Sequence, residues 1–341
     1  MQRIAAWLVG VLLNVSVYGQ TEAPVLLIRA FGDVNLGRAV GQELLKGNVD
    51  YPFAEVREWL QQADIVFVNL ESQLTDQGGE TQHPKDQYVF CGPPVGAQSL
   101  KRAGITIVST ANNHAYDYRM KGLRETIRSL QEEGVQYVGT SADSVSLFPP
   151  VVVQRNGMRV GFVAYTEFVN IAGSWKGRIS TFDRNRVKRE MDSARQVSDL
   201  VIASYHGGSE YTDEPQELTR AQMRFLADAG ADVVLGHHAH VPQGIEERNG
   251  RLILYSLGNF VFSQPQHLWT QTGLGVELVV ARSHERVTLR EVRLHPVRAG
   301  RQPTLILSHA ERAALRERLQ RLSNVTIDQQ DSFFVIRHQQ P

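Results

Sequence analysis

From Val25 onward the chain alternates short apolar runs, rich in Val and Ile and too short for helices, with amphipathic stretches. A run that is apolar at every position is a strand covered on both faces, so this alternation constrains the fold more than any other feature. The runs predict buried strands over residues 25–31, 65–69, 105–109, 136–139, 159–165, 200–205, 233–235 and 252–256, with a later hairpin at 275–281 and 288–297. Between them, apolar residues three and four apart predict helices over 52–62, 122–133, 187–195 and 215–229. A charged surface helix over 310–322 and a short strand at 333–336 follow. Strand and helix in repeated alternation predict an α/β domain with a mainly parallel central sheet, in which ligands gather beyond the carboxyl ends of the strands.

Those ends are where the polar residues fall. Phe31 runs into Gly32 and Asp33, Val68 into Asn69 and Glu71, and Ser109 into Asn112, Asn113 and His114. Ser204 leads to His206, and Leu235 leads into Gly236 and the three histidines His237, His238 and His240. A metal site that activates water needs oxygen and imidazole ligands on rigid elements, and five strand ends here deliver Asp, Glu, Asn and His. Three of the chain's 11 histidines lie within four consecutive positions. Protonated together they would repel, whereas neutral rings coordinate a cation. Asn113 offers an amide oxygen, and His114 beside it is placed to protonate a leaving oxygen. His206 is followed by Gly207 and Gly208, an open turn that lets substrate approach. Glu210 and Tyr211 either contact ligand or close that turn, and Asn259 next to Gly258 is read as a supporting residue. The segment 73–94 is polar, rich in turn formers, and reads as a long excursion over the same face.

Composition narrows the class of partner. Lys and Arg total 36, as do Asp and Glu, so there is no net electrostatic pull towards nucleic acid or an anionic surface. A single cysteine, Cys91, excludes an internal disulfide and a thiolate metal cluster. At the N-terminus Arg3 precedes an uncharged, mostly apolar stretch from Ile4 to Tyr18. That is short of the roughly 20 residues that span a bilayer. It reads as a signal peptide over 1–19, with an exported mature chain from Gln20 and an uncleaved anchor as the alternative. One domain over 24–325 and a tail over 326–341 complete the organisation.

The run Phe31, Gly32, Asp33, Val34 with Gly37 and Arg38, then Asn69 to Glu71, Ala111 to His114 with Asp117, His206 to Tyr211, Gly236 to Gln243 and Tyr255 to Phe260 resembles the CapA family of capsule and poly-gamma-glutamate biosynthesis proteins. The resemblance covers about 26–322. It implies a calcineurin-like metallophosphoesterase fold, a layered sandwich of two mixed β-sheets flanked by helices. It also implies two divalent metal ions, with Mn, Zn or Fe as candidates. Carried over by position, Asp33, Glu71, Asn113, His206, His238 and His240 are the ligands, with Asp33 or Glu71 bridging and His114 as general acid. His237, directly after Gly236, also resembles the first histidine of the last motif. Phosphoesterases commonly place a His where this chain has Asn35, an amide that is an additional candidate ligand. The resemblance further implies a hydrolase or transferase acting on a polyanionic polymer or envelope precursor, or else a non-catalytic subunit beside a membrane synthase. Arg38, Lys85, Arg119 and Lys176 are then candidates for the polymer's carboxylates.

Overall fold

The computed structural model describes residues 25–89, 91–283, 286–306 and 308–337. The segment read as a signal peptide lies outside these residues. In chain order the elements are β1 (Val25–Val34), α1 (Arg38–Leu45), α2 (Arg57–Leu60), β2 (Ile65–Leu70), β3 (Gln73–Leu74), β4 (Cys91–Gly92), α3 (Gly96–Ala103), β5 (Ile107–Ser109), α4 (Arg119–Glu133) and β6 (Gln136–Val138). There follow β7 (Val151–Arg155), β8 (Met158–Thr166), α5 (Arg184–Val197), β9 (Leu200–His206), α6 (Glu217–Ala229), β10 (Val233–His237), β11 (Ile245–Arg248), β12 (Arg251–Leu254) and β13 (Asn259–Val261). The chain closes with β14 (Thr272–Ser283), β15 (Arg286–Arg298), β16 (Thr304–Leu305), α7 (His309–Leu322), β17 (Thr326–Gln329) and β18 (Phe334–Arg337).

Two mixed sheets replace the single, mainly parallel sheet that alternation alone suggests. The larger runs β17-β18-β15-β14-β1-β2-β5-β6, with β13 beside β1 and β16 beside β15. Its β1, β2, β5 and β6 are parallel, while the long β14–β15 hairpin and β17–β18 are antiparallel. The smaller sheet runs β11-β12-β10-β9-β8-β7, parallel at its centre and antiparallel at both edges. Residues 326–337, set aside above as a tail, pair into the large sheet because β18 extends the edge of β15.

The apolar runs are continuous because each central strand is buried on both sides. Leu26, Ile28, Ile65 and Phe67 meet Phe162, Val160, Ile202 and Leu235 between the sheets, and Phe67 stacks on Phe162 at 5.7 Å. The alternate residues Val66, Val68 and Val108 pack with Leu44 of α1 and Leu100 of α3, and Val201 and Ala203 pack with Met191 of α5 and Met223 of α6. Helix 52–62 breaks into a 3-10 turn at Tyr51–Phe53 and the short α2. Phe53, Val56 and Leu60 are buried all the same, so their spacing reports the covered face and not an unbroken helix. Among the described residues no helix is long and apolar enough to cross a membrane.

Candidate metal centre

The parallel strands of both sheets end at one place, and strand register sets what they deliver there. Asp33 of β1 lies opposite Asn69 of β2 and Asn259 of β13, while His206 of β9 lies opposite His237 of β10. Close backbone approach is part of this geometry. A Cβ on Gly32 would lie 1.7 Å from the Gly258 carbonyl oxygen, and one on Gly236 would lie 2.0 Å from that of Tyr255, so the two ligand-bearing turns require glycine. The backbone is also strained here: Arg38, Tyr211, His238 and His240 all adopt φ between +52° and +86°. Non-glycine residues hold such angles only where the surroundings impose them.

Two groups of ligand atoms result, each within 4.8 Å: Asp33, Glu71 and His206, and Glu71, His238 and His240. Glu71 belongs to both. His206 Nε2 stands 3.5 Å from Glu71 Oε1 and 2.7 Å from Asn113 Oδ1, which brings Asn113 into the first group. His240 Nδ1 is 3.2 Å from Asp33 Oδ2, and its Nε2 is 3.9 Å from Glu71 Oε1. His237, fully buried, has Nδ1 3.4 Å from Asp33 Oδ1. The donors fit a divalent cation. Both oxygens of Glu71, both ring nitrogens of His237 and Nδ1 of His238 are buried without a hydrogen bond, which costs free energy that metal ligation would recover.

Burial also sets the charge states. It would raise Asp33, but the imidazoles of His237 and His240, 3.4 and 3.2 Å from its two oxygens, outweigh it and hold the carboxyl well below its ordinary range. Glu71 is pushed well above that range by burial, then by the neighbouring Asp33. His206 is driven down by burial and the nearby His238, and His238 is pushed down to about 4 by burial and His240. Neutral imidazoles beside an anionic Asp33 are the forms that bind metal.

Neighbours orient the ligands. Asn69 Nδ2 donates to Asp33 Oδ1 at 2.8 Å and lies 3.1 Å from His206 Nδ1. Asn259 Oδ1 lies 2.9 Å from His240 Nδ1, while its Nδ2 donates to Gln264 Oε1 and the Thr270 carbonyl. Asn259 therefore positions His240. His114 Nδ1 lies 2.8 Å from Asp117 Oδ2, and Phe168 packs against His238 at 5.1 Å. Asn35 Oδ1 accepts from the Gly37 N–H at 2.8 Å, closing the turn after β1.

Beside the ligands a polar cleft of about 610 Å³ is lined by His114, His240, Arg38 and Glu210, with glutamine and aromatic side chains from 82–88 and 262–267. Of the four basic residues named from the sequence, Arg38 lines it, and Lys85, Arg119 and Lys176 lie on exposed positions outside it. Gln87, Tyr88, Gln264 and His267 escaped sequence reading. Their segments carry no period; the polar excursion at 73–94 hinted at Gln87 and Tyr88, and no sequence signal pointed to Gln264 and His267.

Residues 27–264 match the family described as bacterial capsule synthesis protein PGA_cap. The chain belongs to this family. Within it, the chain is 31% identical over 259 residues to the capsule biosynthesis protein CapA of Bacillus anthracis, covering 74% of this chain and 62% of that one. The chain thus spans just under two thirds of that relative's length. It is 29% identical over 266 residues to the PGA biosynthesis protein CapA of Bacillus subtilis, covering 74% and 69%. A probable polyglutamine synthesis accessory protein of Mycobacterium tuberculosis is 31% identical over 252 residues, covering 68% and 65%. Among solved structures, the calcineurin-like phosphoesterase YfkN of Bacillus subtilis aligns with 80% of this chain and 90% of its own, at 14% identity and a TM-score of 0.47.

Proposed function

We propose that this chain is an exported, dinuclear metal-dependent hydrolase or transferase that acts on a capsule or poly-gamma-glutamate polymer or its envelope precursor. The observation that carries this reading is Glu71, a buried carboxylate common to two groups of ligand atoms and without a hydrogen bond on either oxygen. Asp33, Asn113 and His206 would hold one ion and His238 and His240 the other, with Glu71 between them. Oxygen and nitrogen donors without sulfur suit Mn, Zn or Fe. Bound divalent ions polarise a scissile group and acidify water enough for attack near neutral pH. The chain's own contribution is His114, oriented through Nδ1 by Asp117, which holds a proton at Nε2 for the departing atom. The relatives' names supply the polymer, and the uncharged stretch after Arg3 supplies export.

A second reading, a non-catalytic subunit beside a membrane synthase, is favoured by the word accessory in the name of the Mycobacterium relative. Turnover separates the two. Protein from Gln20 onward, loaded with Mn²⁺ or Zn²⁺, should cleave or transfer a unit of at least one substrate in a screen of amide-linked glutamyl polymers and phosphodiesters. His114→Ala should lower that rate by about 10²–10⁴-fold at unchanged metal content and melting temperature. Equal rates in the variant, or no turnover on any substrate, would contradict the enzyme reading and favour the subunit.

A further inference from the structure

Of the ligand histidines, His240 lies farthest from a strand. His206 ends β9 and His238 directly follows β10, whereas His240 stands three residues past the end of β10 at φ +58°. Three irregular segments fix it instead. In the first, the Tyr211 ring lies 6.2 Å from the His240 ring, and the Tyr211 N–H donates to the Ala239 carbonyl at 2.9 Å. The second runs from His240 itself to Gln243, whose Nε2 donates to the Thr212 carbonyl at 2.9 Å. In the third, the Thr270 carbonyl holds Asn259 at 3.0 Å, and Asn259 Oδ1 lies 2.9 Å from His240 Nδ1.

One side chain touches all three segments. Arg318 of α7 is 4% exposed. Its Nη1 donates to Asp213 Oδ1 at 2.9 Å, its Nε donates to the Pro242 carbonyl at 3.2 Å, and its guanidinium lies 4.7 Å from the centre of the Trp269 ring. Its neighbours on α7, Leu315 and Leu319, are buried in the core, and an apolar side chain at 318 would continue that face without taking a cation out of water. Asp213 is half-exposed and Nη2 of Arg318 is buried without a hydrogen bond, so the ion pair offsets only part of that cost. What a guanidinium supplies in return is several donors in one fixed plane, enough to reach two segments while its face covers a third. The helix that carries it is anchored: Ser323 Oγ accepts from the Ile245 N–H at 2.8 Å, and a Cβ on Gly244 would lie 2.0 Å from the Leu322 carbonyl oxygen.

We infer that Arg318 is a positioning residue for the metal centre: α7, which lies outside the residues 27–264 that match the family, clasps the three segments around His240 and so sets the geometry of the ion held by His238 and His240. The inference rests on the metal reading above for what His240 holds, but the clasp itself is tested without metal.

Hydrogen exchange read by mass spectrometry on the EDTA-treated full chain compares wild type with Arg318→Met, Asp213→Ala and Arg316→Met, with melting temperatures recorded. Arg318→Met should speed exchange about 10-fold or more in 209–213, 239–243 and 265–271 together, the loss expected for a charge-assisted hydrogen bond, and leave β1 and β9 as in wild type. Asp213→Ala, at a half-exposed position, should do the same in 209–213, which decides the matter should Arg318→Met fail to fold. Arg316→Met is the control: Arg316 Nε donates to the Ile327 carbonyl at 2.8 Å, so its loss loosens β17 and should leave the three segments unchanged. Co²⁺ titration followed by visible absorption gives the second readout. Arg318→Met should weaken one of two equivalents about 10-fold and shift its ligand-field bands, with the other equivalent unchanged. Unchanged exchange in both Arg318→Met and Asp213→Ala overturns the clasp, as does an equal rise in Arg316→Met or a rise spread evenly over the chain. Faster exchange with both Co²⁺ equivalents unaltered, or both weakened alike, overturns the assignment to His240. Faster exchange in the three segments of a chain that binds no Co²⁺ upholds the clasp and overturns the metal reading, and two Co²⁺ equivalents beside unchanged exchange do the reverse.

Discussion

In the large sheet, Arg29 and Glu277 meet at 2.7 Å, Arg293 Nη1 donates to the other Glu277 oxygen at 2.9 Å, and Arg29 lies over Trp59. At the shared strand ends Glu71 is equally buried, yet neither of its oxygens has a hydrogen bond and its nearest neighbours are a carboxylate and imidazoles. The two glutamates titrate in opposite directions. Burial would raise Glu277, but the neighbouring His295 ring, 3.9 Å away, and the hydrogen bond and charge of Arg29 hold it down at about 2. Glu71 is raised by burial, with Asp33 adding to the effect. A buried charge that is paired on every side belongs to the architecture, whereas donors gathered around one another with their lone pairs unengaged belong to a cation.

Removing the paired carboxylate should have the largest effect on stability. Glu277→Ala leaves two guanidinium groups facing a buried position and should cost about 3–5 kcal/mol in urea unfolding. A loss under about 1 kcal/mol would erase the contrast. The same pair predicts acid behaviour. A carboxyl whose pKa falls on folding contributes stability above its unfolded value near 4.5, and that stability is lost as pH falls through about 2. The difference between wild type and Glu277→Gln should therefore be full at pH 7 and shrink steadily below about pH 4.5. A difference independent of pH would contradict it.

Asn259→Ala sharpens the other side. It frees His240 from its orienting amide and should weaken metal binding about 10–100-fold, while the Gln264 and Thr270 acceptors it leaves unpaired should cost the metal-free chain about 1–3 kcal/mol. Unchanged affinity would reduce Asn259 to a turn residue. The smallest effect is expected for Glu71→Gln in metal-free protein. The amide imitates the uncharged carboxyl, so stability should stay within about 1 kcal/mol of wild type while metal is lost. A loss above about 2 kcal/mol would mean that Glu71 is structural after all.

The same contrast explains what could be read from sequence. Asp33, Glu71, Asn113, His206, His238 and His240 were visible because buried runs and the polar residues that end them are local signals, and parallel strands bring such ends together. The two Asn candidates show the limit. Asn35 turned inward to its own turn by a rule that spans two residues. Asn259 reached His240 only because β13 pairs with β1, a contact that no local pattern encodes. The cleft wall was hidden for the same reason, as Gln87 and Gln264 converge from irregular segments far apart in the chain. Strand ends extended by one to three residues, as at Val34 and His237, because the ligands themselves continue the ladder.

The most direct test is metal stoichiometry by elemental mass spectrometry on protein from Gln20 to Pro341 and on its Asp33→Ala/His238→Ala double variant, after equal incubation with Mn²⁺, Zn²⁺ and Fe²⁺. Retention of close to two equivalents by the native chain, lost in the variant, is the predicted result. Background metal in both, or equal metal in both, would contradict a cation centre at Glu71.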